Sequence, residues 1–172
     1  TFGRQPDFID GHQHCHVLPG VTEAVLALFE TGRLDRRRTW MRSVREPFAR
    51  IRQRGVAVGK AAFLSFLSRR LDRLAKRAGI ATNVGFGGVY DFSVDPPFVD
   101  RFARFLTDLG PCPLIMVHPG HVDDELRALD PVTDQRAREF STLSGREFDA
   151  ALANAGVVVA GRGHVLGFRG AL

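Results

Sequence analysis

Three of the six histidines of this 172-residue sequence fall in one five-residue stretch, His12-Gln13-His14-Cys15-His16, just after Asp10. Imidazole nitrogens and a carboxylate oxygen are ordinary ligands for Zn2+ and acceptable ones for other divalent ions, and such an ion turns water into a nucleophile at neutral pH. If residues 12 to 16 run extended, the two-residue period of a strand puts His12, His14 and His16 on one side, with rings about 7 Å apart. A polar loop of surface histidines is the simpler reading of the same letters. A fourth histidine, His118, ends the apolar run Leu114-Ile115-Met116-Val117 and enters Pro119-Gly120, much as Phe8-Ile9-Asp10-Gly11 delivers His12 into its loop. Strand C-termini of a parallel α/β fold meet on one face, so His12 and His118 are expected to converge there.

The elements that must hold these residues alternate between short apolar runs and amphipathic stretches, the pattern of βα units around a largely parallel sheet. Phe8 to His12 reads as the first strand. A helix follows Pro19-Gly20, with Val21, Val25, Leu26, Leu28 and Phe29 on one face, and Trp40 to Val44 reads as a second strand ended by Glu46-Pro47. From Lys60 to Ala78 the apolar residues Phe63, Leu64, Leu67, Leu71, Leu74, Ala75 and Ala78 recur at helical spacing, opposite Arg69, Arg70, Arg73, Lys76 and Arg77. Ile80 to Phe86 gives a third strand. Asp95 is placed to cap a helix that starts at Pro96 and carries Phe98, Val99, Phe102, Phe105, Leu106 and Leu109. After the strand Leu114 to Val117, Ser144 and Glu147 have capping-box spacing for a last helix, which leads to a strand at Val157 to Ala160. About five βα units result, in one domain over residues 1–172, with 161–172 as a candidate flexible tail.

Composition narrows the function classes. No apolar run approaches the roughly 18 residues that a membrane span needs, and no signal-peptide pattern opens the chain, so a soluble cytoplasmic protein is expected. Cys15 and Cys112 are too few for a disulfide framework and are expected as free thiols. The net charge of +5 hides an asymmetry: Arg33 to Arg77 holds 15 Lys/Arg against 3 Asp/Glu, a local +12, which leaves −7 for the remainder. Such a block is either a solvated helix face or a surface for an anionic partner.

The segment Phe2-Gly3-Arg4-Gln5-Pro6 through Phe8-Ile9-Asp10-Gly11-His12-Gln13-His14-Cys15-His16-Val17-Leu18-Pro19 resembles the FGRxP…xDSHxHxHxxP motif of the YdjC-like carbohydrate deacetylases. That family takes in chitooligosaccharide and hopanoid-associated deacetylases. Met116-Val117-His118-Pro119-Gly120 resembles its second signature, a strand ending in His-Pro-Gly, and order and spacing agree from Phe2 to about Ala160. The resemblance implies an irregular (β/α) barrel and a divalent-metal-dependent hydrolase (Mg2+ or Zn2+) that removes N-acetyl groups from an amino sugar. The substrate would be a chitooligosaccharide-like molecule or a glycosylated hopanoid. Residue by residue, it casts His12 as metal ligand, His118 as general acid or substrate contact, and Asp10, His14, His16 and Arg42 as substrate-side residues. No nucleic-acid partner is implied, and a homodimer is left open.

The sequence departs from the family pattern in three ways. Gly11 stands where serine is usual and Phe8 where histidine is common. The family's opening Asp-Asp-Phe-Gly and Gly-x-His elements, which supply further ligands and a base, have no counterpart; Asp123-Asp124 follows His118 and is not a substitute. The resemblance therefore implies an incomplete barrel, the C-terminal portion of a deacetylase whose first strands and remaining ligands lie upstream. DNA ahead of the Thr1 codon is expected to read in frame through Asp-Asp-Phe-Gly. Two other readings stay open. One is a noncatalytic module docking the basic 33–77 region on an anionic surface. The other is a different metallohydrolase with Asp10, His12, His14 and His118 as a self-sufficient site.

Overall fold

Short apolar pairs make the strands. In the computed structural model, which describes residues 3–160, β1 (Phe8–Ile9) lies parallel to β2 (Trp40–Met41), with Phe8 opposite Trp40 and Ile9 opposite Met41. Met41 extends the layer through a parallel bridge to Thr82, and β3 (Phe86–Gly87) pairs in parallel with β4 (Leu114–Ile115). The chain is thus a mixed α/β structure of short parallel strands among many helices: α1 (Val21–Glu30), α2 (Phe48–Arg54), α3 (Val58–Arg77), α4 (Phe98–Phe105), α5 (Asp124–Leu129), α6 (Asp134–Leu143) and α7 (Arg146–Ala155). None of these helices is long and apolar enough to cross a membrane. Among the described residues neither Cys15 nor Cys112 forms a disulfide.

Two apolar clusters fill the interior. Leu26 and Phe29 of α1 and Leu64, Leu71 and Ala75 of α3 pack with Met41, Val44, Ile80 and Phe86. The second cluster gathers Tyr90 with Phe98, Phe102, Phe105 and Leu106, and Phe148 and Leu152 of α7 lie against it. Burying such side chains is worth roughly 1.5–3 kcal/mol each, which is why these helices keep their places although several are short.

The strand expected at residues 40 to 44 ladders only at its first two residues. Beyond them side chains replace the missing neighbour: Asn83 Oδ1 accepts from the Ser43 N–H at 2.7 Å, and Ser65 Oγ of α3 accepts from the Glu46 N–H at 3.1 Å. This explains two serines, Ser65 and Ser68, on the buried face of an otherwise apolar stripe. A backbone donor buried without a partner is costly, and a hydroxyl on a packed helix supplies one.

Several expectations need correction. Val157 to Ala160 forms no strand; Val158 and Val159 are exposed. α4 starts at Phe98, with Pro97 at its cap in place of Asp95, and ends at Phe105, ahead of Asp108 at φ 49°. Ser144 closes α6, so Gly145 precedes α7 and the expected capping box is absent. Phe63 points outward, 61% exposed, although its spacing matched the core stripe. The candidate tail 161–172 lies outside the described residues.

Candidate functional site

The first motif is not extended. His12–Val17 turns as a 3-10 segment, with Gln13 (φ 49°) and His14 (φ 64°) in the left-handed region, so the three histidines do not share a side. His16 turns inward and is 1% exposed. Its Nδ1 accepts from the Gly11 N–H at 3.0 Å, and its Nε2 lies 2.9 Å from the Arg42 carbonyl, which makes the Nε2–H tautomer the one that satisfies both contacts. Burial, then the Arg42 charge, lowers its pKa from the ordinary value of 6.5, so the ring is neutral.

The same close approach accounts for Gly11. A Cβ there would stand 2.7 Å from both the backbone nitrogen and Nδ1 of His16. In this chain an inward His16 leaves no room for a side chain at position 11.

Arg42 continues from β2 and is 4% exposed. Its Nη2 forms an ion pair with Asp10 Oδ1 and donates to the Gly11 carbonyl at 3.2 Å. On its other side Nη1 lies 3.6 Å from Met116 Sδ, and the guanidinium sits 5.4 Å from the Phe86 ring centre. One side chain thus touches the loop after β1, the start of β3 and the end of β4. His14 completes this group, half-buried and edge-on to Phe86 at 5.9 Å. Burial, reinforced by Arg42 and His16, holds its pKa down to about 4.

His118 follows β4 by three residues and is half-buried. Its backbone N–H donates to Glu139 Oε2, and its Nδ1 lies 3.8 Å from Glu139 Oε1. Glu139, on α6, is wholly buried and also accepts from the Tyr90 hydroxyl; burial and this carboxylate raise the tyrosine pKa. Phe92 stands edge-on to the His118 ring at 5.0 Å and packs on Tyr90 at 4.7 Å. Lys60 Nζ, 5.9 Å from the Phe92 centre, donates to the Tyr90 carbonyl at 3.2 Å, and its charge also acts on His14. Gly88 lets β4 pass: its φ is +93°, and a Cβ would meet the Met116 carbonyl at 2.0 Å.

The strand ends therefore bring Asp10, His14, Arg42 and Met116 into one group, with His118 two residues beyond Met116. His12 is exposed on the outer turn of the first loop. The substrate-side roles expected of His16 and Arg42 meet a physical obstacle: both are buried, and they hold strand ends together where they stand. Glu139, Tyr90, Lys60 and Phe92 went unnoticed in the sequence. Only Glu139 carried any signal, as an acid in a stretch whose helical spacing includes Gln135, Phe140 and Leu143.

Three buried nitrogens, His14 Nδ1, Arg42 Nε and His118 Nδ1, have no hydrogen-bond partner among the described residues. A resident divalent ion is a harder fit. Among the described residues no three His, Cys, Asp or Glu side chains gather into a group that could hold one. Asp10 is engaged by Arg42 and His16 by backbone, which leaves His12 and Cys15 as the exposed donors of the first loop. The residues present do not make an ion site by themselves.

Short parallel strands among many helices, with Asp10, His14, Arg42 and Met116 gathered at the strand ends, define a mixed α/β protein. The chain belongs to the YdjC-like family: the model of the YdjC-like protein family matches residues 1–154. A solved structure from Enterococcus faecalis V583, titled a "putative cellobiose-phosphate cleavage protein", superimposes with a TM-score of 0.65 at 18% identity. The match covers 95% of this chain and 54% of that one, so the chain spans about half the length of that relative. No curated protein matches.

Proposed function

We propose that this chain contributes the strand-end site of a carbohydrate hydrolase that removes the acetyl group from an N-acetylated amino sugar. The observation that carries the reading is Arg42, whose guanidinium contacts both Asp10 of the first motif and Met116 of the second. The two stretches that resemble the deacetylase signatures, more than a hundred positions apart, thereby share one buried contact. Family membership and the fold of the Enterococcus protein agree with carbohydrate processing; the N-deacetylation is our own assignment.

Amide hydrolysis needs water added to the carbonyl and a proton delivered to the departing nitrogen. His118 is assigned the second task. Its half-buried ring stands edge-on to Phe92, and its backbone N–H is held by Glu139. Asp10, whose side chain is 42% exposed despite its ion pair, and His14, held neutral, face the space where the sugar would bind. His12, exposed on the outer turn of this loop, would be one donor to a divalent ion, Mg2+ or Zn2+; the described residues do not supply the rest of its coordination.

Acetate release from N,N′-diacetylchitobiose, measured on the protein at its full genomic length, tests the assignment. Loss of release in His118→Gln with folding intact supports it. An enzyme that leaves acetyl groups in place and cleaves the glycosidic bond would overturn it.

A further inference from the structure

α3 has a second face that the strand-end site does not use. Its buried side, Leu64, Ser68, Leu71 and Ala75, packs on the strands. On the opposite side Phe63, Phe66, Arg70, Arg73 and Arg77 follow one another at three- and four-residue steps, which makes a single outward stripe down the helix. Phe63 and Phe66 are each 61% exposed. Arg69 flanks the stripe, with its guanidinium 5.4 Å from the Phe66 ring centre. A shallow groove runs alongside, lined by Phe66, Leu67, Arg69, Arg73, Pro19 and Arg45. Leu18 and Val21, on either side of Pro19 in the chain, are also exposed, at 43% and 38%.

The charges on this face are largely uncommitted. Arg70 pairs with Glu23 of α1 at 2.6 Å, and Arg45 approaches Asp72 at 3.9 Å. Among the described residues Arg69, Arg73, Lys76 and Arg77 make no ion pair. This separates them from other arginines of the basic block: Arg42 is consumed by Asp10, and Arg54 is buried against Glu46 and the carbonyls of Phe86 and Thr107.

We propose that this face of α3 docks the protein on an anionic phospholipid bilayer, with Phe63 and Phe66 entering the headgroup boundary and the arginines beyond them meeting lipid phosphates. Charge selects the occupant. A stripe that is apolar at one end and cationic at the other repels a second copy of itself, whereas an anionic bilayer supplies phosphates and an apolar layer side by side. Guanidinium groups pair with phosphate oxygens in a two-pronged geometry, and aromatic rings settle at the boundary between headgroup and acyl chain. α3 also packs against the His12–Val17 loop, so a docked protein would hold the strand-end site close to the lipid surface. The docking stands independently of the deacetylase reading.

Co-sedimentation with vesicles of phosphatidylcholine plus phosphatidylglycerol, against phosphatidylcholine alone, tests it. The protein is expected to pellet with the anionic vesicles and to be released by high salt. Arg73→Gln and Arg77→Gln are expected to weaken binding by about fivefold each. Phe63→Ser with Phe66→Ser, at exposed positions that leave the core untouched, is expected to weaken low-salt binding to the anionic vesicles by about tenfold or more. A Phe66→Trp variant is expected to shift its emission to the blue on anionic vesicles. Equal binding to both vesicle types, binding indifferent to Phe63 and Phe66, tighter binding to an RNA oligonucleotide than to the vesicles, or self-association that the phenylalanine changes abolish would each overturn the proposal.

Discussion

Arg42 and Asp10 form an ion pair across the C-terminal ends of two adjacent parallel strands, with the arginine buried and the aspartate partly open to solvent. Removing one partner of such a pair costs more than the pair itself is worth, because the other charge stays behind without compensation. Asp10→Asn is expected to destabilise the protein by about 1–3 kcal/mol, read as a lower midpoint in urea unfolding. Arg42→Leu, which also withdraws contacts with Met116 and Phe86, is expected to lose more. A wild-type midpoint in both variants would show that the two motifs are not held together through Arg42.

Gly11 offers a sharper steric test. Gly11→Ala places a methyl group 2.7 Å from His16 Nδ1, and the neighbour is ring and backbone, with no flexible end to move aside. A loss of about 1–3 kcal/mol is expected from thermal or chemical unfolding. Pairing Gly11→Ala with His16→Ala is expected to recover part of that loss, since the second change removes Nδ1 and leaves only the backbone nitrogen and Cβ in the way.

His16 makes stability depend on acidity. Its pKa falls below 6.5 on folding, so the unfolded chain binds its proton first as pH drops. The stability from a neutral His16 is therefore fully present above about pH 6.5 and lost progressively as pH falls from there towards the depressed folded value. Unfolding midpoints measured from pH 8 down to pH 5 should fall less in His16→Gln than in the wild type, although the variant starts lower. Parallel curves for the two proteins would assign the acid sensitivity elsewhere.

Glu139 holds the turn after β4 by accepting from the His118 N–H and the Tyr90 hydroxyl. Glu139→Ala strands both donors in the interior and is expected to cost about 2–5 kcal/mol. Glu139→Gln retains one acceptor and is expected to fall between the alanine variant and the wild type in an unfolding titration.

The sequence showed where two of the parallel strands lie. Ile9 and Ile115 each end a short apolar run a few residues before a histidine, and the structure sets both runs in parallel pairs. It did not show the conformation of residues 12 to 16, because alternation predicts a strand only if the chain stays extended. The turn there is set by a contact between Gly11 and His16 that spacing cannot reveal. α5 was missed for a related reason: Asp123 accepts from the Leu126 N–H at 2.8 Å and caps a six-residue helix too short to display a periodicity. Helical spacing could likewise not tell Phe63 from Leu64, since which side of α3 faces the strands is decided by packing. Glu139 and Lys60 reach the site from helices far along the chain, and only the fold brings them to His118 and Tyr90.

The most direct test of the strand-end site is acetate release from N,N′-diacetylchitobiose by the protein at full genomic length, compared between wild type and His118→Gln. The account predicts release by the wild type and a fall of about 100-fold or more in the variant, with the unfolding midpoint little changed. Undiminished release by a folded His118→Gln protein, or no release by the wild type with Mg2+ or Zn2+ supplied, would contradict it.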